Sequence, residues 1–292
     1  MDATINNLAI YAPFSLTAAI VAGIFGLIIG SFLNVVIGRL PVILQQQWRA
    51  ECAALQGQSV PDTSLSLAKP GSHCPHCKHA VRWYDNIPIL SWLLLKARCR
   101  DCQTPISIRY PMVELFTALV FAAIGWQWGL LSTQAYFYAV AAALLICLFF
   151  IDLDEMLLPD QLTLLLLWVG LLFSIGGSSI TPTNAIIGAI AGYLSLWSVF
   201  WAFKLLTGRD GMGYGDFKLL AAIGAWVGWQ LLPVVVIFAA VTGAVIGLIW
   251  QGINRNQRGN PIPFGPFLII GGISAWGFGE QVMRSYWDWL VL

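Results

Sequence analysis

Charge is what this sequence has least of. Only 10 % of its 292 residues are Asp, Glu, Lys or Arg, while 58 % are hydrophobic and the mean hydropathy is +0.76. That balance excludes an ordinary soluble domain, which carries about a quarter charged residues. The net charge of +1 offers neither a nucleic-acid-binding surface nor an attraction for acidic substrates. The N-terminal "MDATINNLAIYAP" has no basic run before its apolar stretch, and that stretch is too long for a cleaved signal, so a retained helix is expected. Internal repeats and low-complexity tracts are missing. No glycine-rich βα turn announces a nucleotide fold.

What is present is apolar helix. Eight runs approach or reach the length of about 20 residues that crosses the hydrocarbon of a bilayer, so the expected class is an all-α polytopic membrane protein. The spans read as 14–38, 111–128, 134–151, 161–177, 184–206, 217–231, 233–250 and 264–281. Lys and Arg are retained on the cytoplasmic side of membrane loops. Threading eight spans from an outside N-terminus puts 14 of the 15 basic residues at inside segments: nine from Arg39 to Arg109, then Lys204, Arg209, Lys218, Arg255 and Arg258. The opposite loops "GLLSTQ" and "GGSSITPTN" hold no charge. The expected organisation is therefore a first span at 1–38, a cytoplasmic module at 39–110 and a membrane domain of seven spans at 111–292.

The module holds four of the six cysteines, in "HCPHC" (Cys74, Cys77) and "RCRDC" (Cys99, Cys102), with 21 residues between the pairs. Two such knuckles read as a zinc ribbon, because thiolates three residues apart reach one ion from a tight turn and two turns complete a tetrahedron. A pair of disulfides is the rival, disfavoured by the reducing compartment that the basic flanks imply. Four thiolates close the site, so the zinc is expected to be structural, with His73, His76 and His79 on the surface. Cys52 and Cys147 have no partner at useful spacing.

Two acidic groups stand at the cytoplasmic mouths of spans: Asp152, Asp154, Glu155 and Asp160 after the third, Asp210 and Asp216 before the sixth. Asp154, Glu155 and Asp210 read as solvated loop charges, and Asp160, after Pro159, as a helix N-cap. Asp152 and Asp216 adjoin apolar helix directly, where an ionisable group is a functional candidate. Asp152 lies at a helix C-terminus, whose dipole disfavours its anion, and Asp216 at an N-terminus, whose dipole favours it. One protonated and one ionised carboxylate are what acid–base hydrolysis of an amide requires, with Asp216 as base and Asp152 as acid. Gly213 and Gly215, just before Asp216, are expected to give the backbone access to positive φ and close approach to another peptide segment, although a plain turn would explain them as well.

"GYGDFKLL" (213–220) matches the Gly-x-Gly-Asp signature of intramembrane aspartyl proteases, and the chain resembles the bacterial type IV prepilin leader peptidase/N-methyltransferase family over about residues 25 to 275. "GSFLNVVIGRLP" (30–41), the two knuckles, "WYDNIPILSWLLLKARCR" (83–100), "RYPMVELFTALVF" (109–121), "IDLDEMLLPD" (151–160) and "PFGPFL" (263–268) are similar to family blocks in order. The resemblance implies an aspartyl endopeptidase of the bacterial inner membrane, acting at its cytoplasmic face with Asp152 and Asp216 as the catalytic pair. Its substrates would be prepilins or pseudopilins of type IV pili and type II secretion, cut after the last glycine of a basic leader. It further implies N-methylation of the new terminus from S-adenosylmethionine, and a metal module at Cys74, Cys77, Cys99 and Cys102. Asn34 and Glu114 suit either a helix–helix hydrogen bond or a substrate or methyl-donor site. Pro263, Gly265 and Pro266 read as a bent helix entrance. The rivals are a carboxylate-relay membrane transporter, whose charges should sit nearer the bilayer midplane, and an assembly scaffold that docks partners through the cysteine module.

Overall fold

A computed structural model describes residues 13–58, 65–176, 180–253 and 262–291. The N-terminal segment 1–12, Arg255, Arg258 and the middle of the loop at 176–184 lie outside the described residues. The chain divides into two compact units, Met1–Cys147 and Leu148–Leu292. Each of the eight expected spans finds a helix, and no β-strand occurs among the described residues. Among the described residues, five helices are long and apolar enough to cross a membrane. The protein is a multi-pass membrane protein.

In the first unit, α1 (Leu16–Leu55) starts at Ser15, whose hydroxyl accepts the Ala18 N–H, and runs for 40 residues, about 60 Å. It passes the expected exit at residue 38 and continues through Pro41, because "LQQQWRAECAAL" is built almost wholly of strong helix formers. It packs along α3 (Arg109–Trp128) through small residues. A Cβ on Gly30 would fall 2.8 Å from Glu114 Cα, and one on Gly26 2.7 Å from Ala118 Cα. Backbones this close are how helices associate where lipid removes the hydrophobic incentive. Between them lies the cysteine module with the short α2 (Leu90–Leu94). Its ribbon is reduced to two isolated antiparallel bridges, His73 to Ala80 and Arg98 to Pro105.

The helix α4 (Thr133–Glu155) leads into the second unit, which contains α5 (Asp160–Ile175), α6 (Pro182–Thr207), α7 (Tyr214–Val227), α8 (Leu232–Ile253) and α9 (Gly265–Val291). The centre is α7, which packs on α5, α6 and α9. Phe217, Leu219, Leu220 and Ala222 are fully buried, so this helix meets protein on nearly all sides. It is held closely against α6: Gly188 and Gly224 oppose each other backbone to backbone, and a Cβ on Gly192 would lie 2.6 Å from the Leu220 carbonyl oxygen. At 14 residues α7 is about 21 Å long and ends at Gly228, whose φ of +79° turns the chain through a 3₁₀ turn at Trp229–Leu231 into α8.

Candidate functional site

The end of α4 and the beginnings of α5, α7 and α9 meet at one face of the second unit. Asp152 stands in the last turn of α4 and is 4 % exposed; Asp216 stands third in α7 and is 8 % exposed. The two carboxylates are within electrostatic reach of each other. Leu158, in the short connection from α4 to α5, is buried against Gly215 and Gly265. A Cβ on Gly215 would come within 2.8 Å of Leu158 Cβ, and a Cβ on Gly265 within 3.3 Å of Leu158 Cδ2 and 2.6 Å of Asp152 Oδ2. The Gly265 N–H donates to Asp152 Oδ2 at 2.9 Å in a buried contact.

Gly265 is the first residue of α9, so Asp152 caps a helix N-terminus in space while occupying a helix C-terminus in sequence. The polarity of α4 alone therefore does not describe the surroundings of Asp152, because the N-terminus of α9 also faces it. "PFGPF" reads in sequence as a bend; its functional signal is a glycine between prolines at the mouth of a span, where only a residue without Cβ lets the N–H reach the acid.

The two glycines before Asp216 work differently from expectation. Gly213 is the extended N-cap of α7 with φ −79°, and Gly215 lies inside the first helical turn, so neither uses positive φ. Gly215 is required for room, since Leu158 fills the space its side chain would take. Behind Asp216, Phe217 is locked in a ring cluster with Tyr193, Phe200 and Tyr214, at centroid distances of 5.9, 5.6 and 5.5 Å. That cluster fixes the start of α7 and with it the direction of the acid.

Asp160 is not an N-cap. Pro159 holds that position, and Asp160, the first helical residue, receives Lys218 Nζ on both carboxylate oxygens at 2.7 Å. This pair ties the start of α5 to the start of α7, two residues beyond Asp216. Asp154 and Glu155 are exposed as expected, but they stand in the last turn of α4 and not in a loop. Asp210 is also exposed and pairs with Lys204 at 2.9 Å.

In the first unit the four thiols of Cys74, Cys77, Cys99 and Cys102 lie within 4.8 Å of one another. They form one cluster, not two bonded pairs, and the donor set can hold a metal ion. Each knuckle is a tight turn: Cys74 accepts the Lys78 N–H at 2.9 Å, and Cys99 accepts the Gln103 N–H at 3.1 Å, both through main-chain carbonyls. Lys78 and Gln103 take φ near +60° to close these turns. Hydrogen bonds with Thr104 pull the Cys102 thiol down to about 6, while burial and the three neighbouring thiols push Cys77 up to about 12. His76 and His79 are exposed, and the histidines are outside the cluster. Cys52 is exposed and Cys147 buried.

Asn34 and Glu114 have structural partners. Asn34 Nδ2 donates to the Tyr110 carbonyl at 3.1 Å, linking α1 to α3. Glu114, 8 % exposed, accepts the Ile89 N–H at 2.8 Å and so fastens the module to α3.

Residues 24–128 match the bacterial peptidase A24 N-terminal domain, and residues 139–248 match the type IV leader peptidase family. The chain is 50 % identical to the prepilin leader peptidase/N-methyltransferase of Aeromonas hydrophila over 90 % of its own length and 91 % of that protein. It is 50 % identical to the one from Pectobacterium carotovorum, over 86 % of this chain and 90 % of the relative. The corresponding protein of Pseudomonas aeruginosa is 44 % identical, over 90 % and 91 %. No solved structure matches.

Proposed function

This chain belongs to the type IV leader peptidase family, and we propose that it is a membrane aspartyl endopeptidase that removes the basic leader of type IV prepilins or pseudopilins and methylates the new N-terminus. One observation carries the proteolytic reading: two nearly buried carboxylates at the end of α4 and the start of α7, bridged through Leu158, Gly215 and Gly265. Like charges so placed resist double ionisation, and one shared proton suits general acid–base hydrolysis.

In the proposed division of labour Asp152, held by the Gly265 N–H, is the base and Asp216 the acid. Asp152 draws a proton from water as its oxygen attacks the scissile carbonyl carbon, while Asp216 gives its proton to the carbonyl oxygen. Collapse of the tetrahedral adduct breaks the C–N bond: the proton held on Asp152 passes to the leaving amine and one hydroxyl proton of the adduct returns to Asp216, so both acids regain their starting states. This order reverses the assignment drawn from helix polarity in sequence.

The short helices α5 and α7, about 24 and 21 Å against a hydrocarbon of about 30 Å, support a recess at their N-termini where water reaches acids at membrane depth. Lys204, Arg209 and Lys218 cluster at the same face, which supports a cytoplasmic mouth, a cytoplasmic module and an N-terminus outside, in the inner membrane of a bacterium. The four thiols suit zinc, which would be structural, because a four-thiolate site leaves no position for substrate. S-adenosylmethionine would supply the methyl group.

Purified full-length protein in detergent, mixed with a prepilin bearing a Lys/Arg-rich leader, tests the proposal. Leader loss is expected with or without S-adenosylmethionine, and a mass gain of one methyl group only with it. An intact prepilin under both conditions would contradict the reading.

A further inference from the structure

The helix α2 is turned inside out for a water-soluble module. Ser91, 6 % exposed, faces inward, donating to the Tyr84 carbonyl at 2.8 Å and accepting the Ile87 N–H at 3.0 Å. Trp92 also points in and donates Nε1–H to the Ile106 carbonyl at 3.1 Å. Leu90, Leu93 and Leu94, spaced i, i+3, i+4 on the opposite face, are 49, 58 and 73 % exposed. Trp83, in the preceding 3₁₀ turn at Trp83–Asn86, is 83 % exposed, and Ile87, which follows that turn, is an exposed apolar residue as well. A face that buries its serine and presents its leucines is the pattern of a surface that meets a membrane or another protein.

The position of this face is set by a buried carboxylate. Glu114 lies in the second turn of the membrane-entering α3 and accepts the N–H of Ile89, the residue that starts α2. Ile89 has φ +57°, a costly conformation for a β-branched residue, which the Glu114 bond helps hold. The start of α2 is therefore tied level with the second turn of a transmembrane helix, about 8 Å along it from Arg109. Tyr110, Met112 and Leu115, flanking that turn on α3, are themselves exposed apolar or amphipathic residues. Charge agrees with the placement: residues 65–110 hold seven Lys or Arg against two Asp. Arg100 is paired with Asp85, through Nε at 2.9 Å and Nη2 at 2.6 Å, which leaves Lys96 and Arg98 as the cations that directly follow α2.

We propose that Trp83 and the leucine face of α2 form an interfacial anchor that lays the cysteine module on the bilayer, apolar side chains at the acyl boundary and flanking cations against anionic headgroups. A single amphipathic turn with an aromatic residue binds weakly by itself. Here the Glu114 tether and two adjoining helices remove the cost of bringing it to the surface, so few side chains suffice.

The anchor is tested on the full chain in nanodiscs of phosphatidylethanolamine and phosphatidylglycerol, with a keto amino acid at position 94 carrying a nitroxide. The expected spectrum shows a label accessible to oxygen and shielded from a water-soluble nickel chelate, with shielding reduced when Glu114→Gln loosens the tether. A label open to nickel overturns the proposal. So does one shielded from both reagents, which would mean that a protein surface covers the face. Neither result depends on proteolytic activity, so the anchor can fail while the proposed reaction stands, and the reverse.

Discussion

Asp152 is positioned by a residue 113 places further along the chain, and the fit leaves no room for a methyl group. Gly265→Ala would put a Cβ 2.6 Å from Asp152 Oδ2, so the carboxylate must move. A displacement on the order of 1 Å in a reacting group costs about 10²-fold. Cleavage by Gly265→Ala is therefore expected to fall about that much in kcat, with membrane insertion unchanged, as measured on purified enzyme with a saturating prepilin. The Asp160–Lys218 pair makes a contrasting case. Its side chains are partly exposed, at 54 and 31 %, and an ion pair of that kind contributes about 0–1 kcal/mol. Asp160→Asn should shift the unfolding midpoint slightly, and the exchange of the two residues, Asp160→Lys with Lys218→Asp, should restore it. A large loss with no rescue would show that Asp160 acts in some way other than pairing.

At the scale of helices, sequence and structure agree on what exists and differ on what each element does. All eight apolar runs become helices, because the length and apolarity of a run are local properties. The ends are less legible. α1 outruns its expected span by 17 residues, since a helix continues wherever helix formers follow, whether or not lipid does. The role of α7 as the buried centre is carried by Gly188, Gly192 and Gly224, which in sequence resemble any small residues of membrane helices. Nor does any local feature of "PFGPF" point to an acid far upstream. Close α6–α7 packing predicts that Gly192→Val forces the helices apart at a cost of about 1–3 kcal/mol. It should lower the unfolding midpoint in detergent and reduce cleavage with it, because α7 carries Asp216. In the module, each knuckle is legible because its pattern is local. Replacement of Cys99 and Cys102 by Ser is expected to abolish metal content, one ion per chain by elemental analysis, and to raise amide exchange across residues 65–108. Unaltered metal content would move the ion elsewhere.

For the molecule as a whole, the account depends on two carboxylates from separate helices behaving as one chemical unit. The sequence isolated both, because a charge beside apolar helix is costly and rare, but the Gly265 partner on which their proposed order as base and acid rests lies far along the chain and is not legible there. Groups that act as a unit show losses that do not add. The decisive measurement is the single-turnover cleavage rate of a prepilin by Asp152→Asn, Asp216→Asn and the double variant, all inserted to the same level. The expected result is that each single variant falls to the same residual rate as the double. A single variant that retains substantial cleavage, or a double variant whose loss is the product of the two, would contradict the shared site.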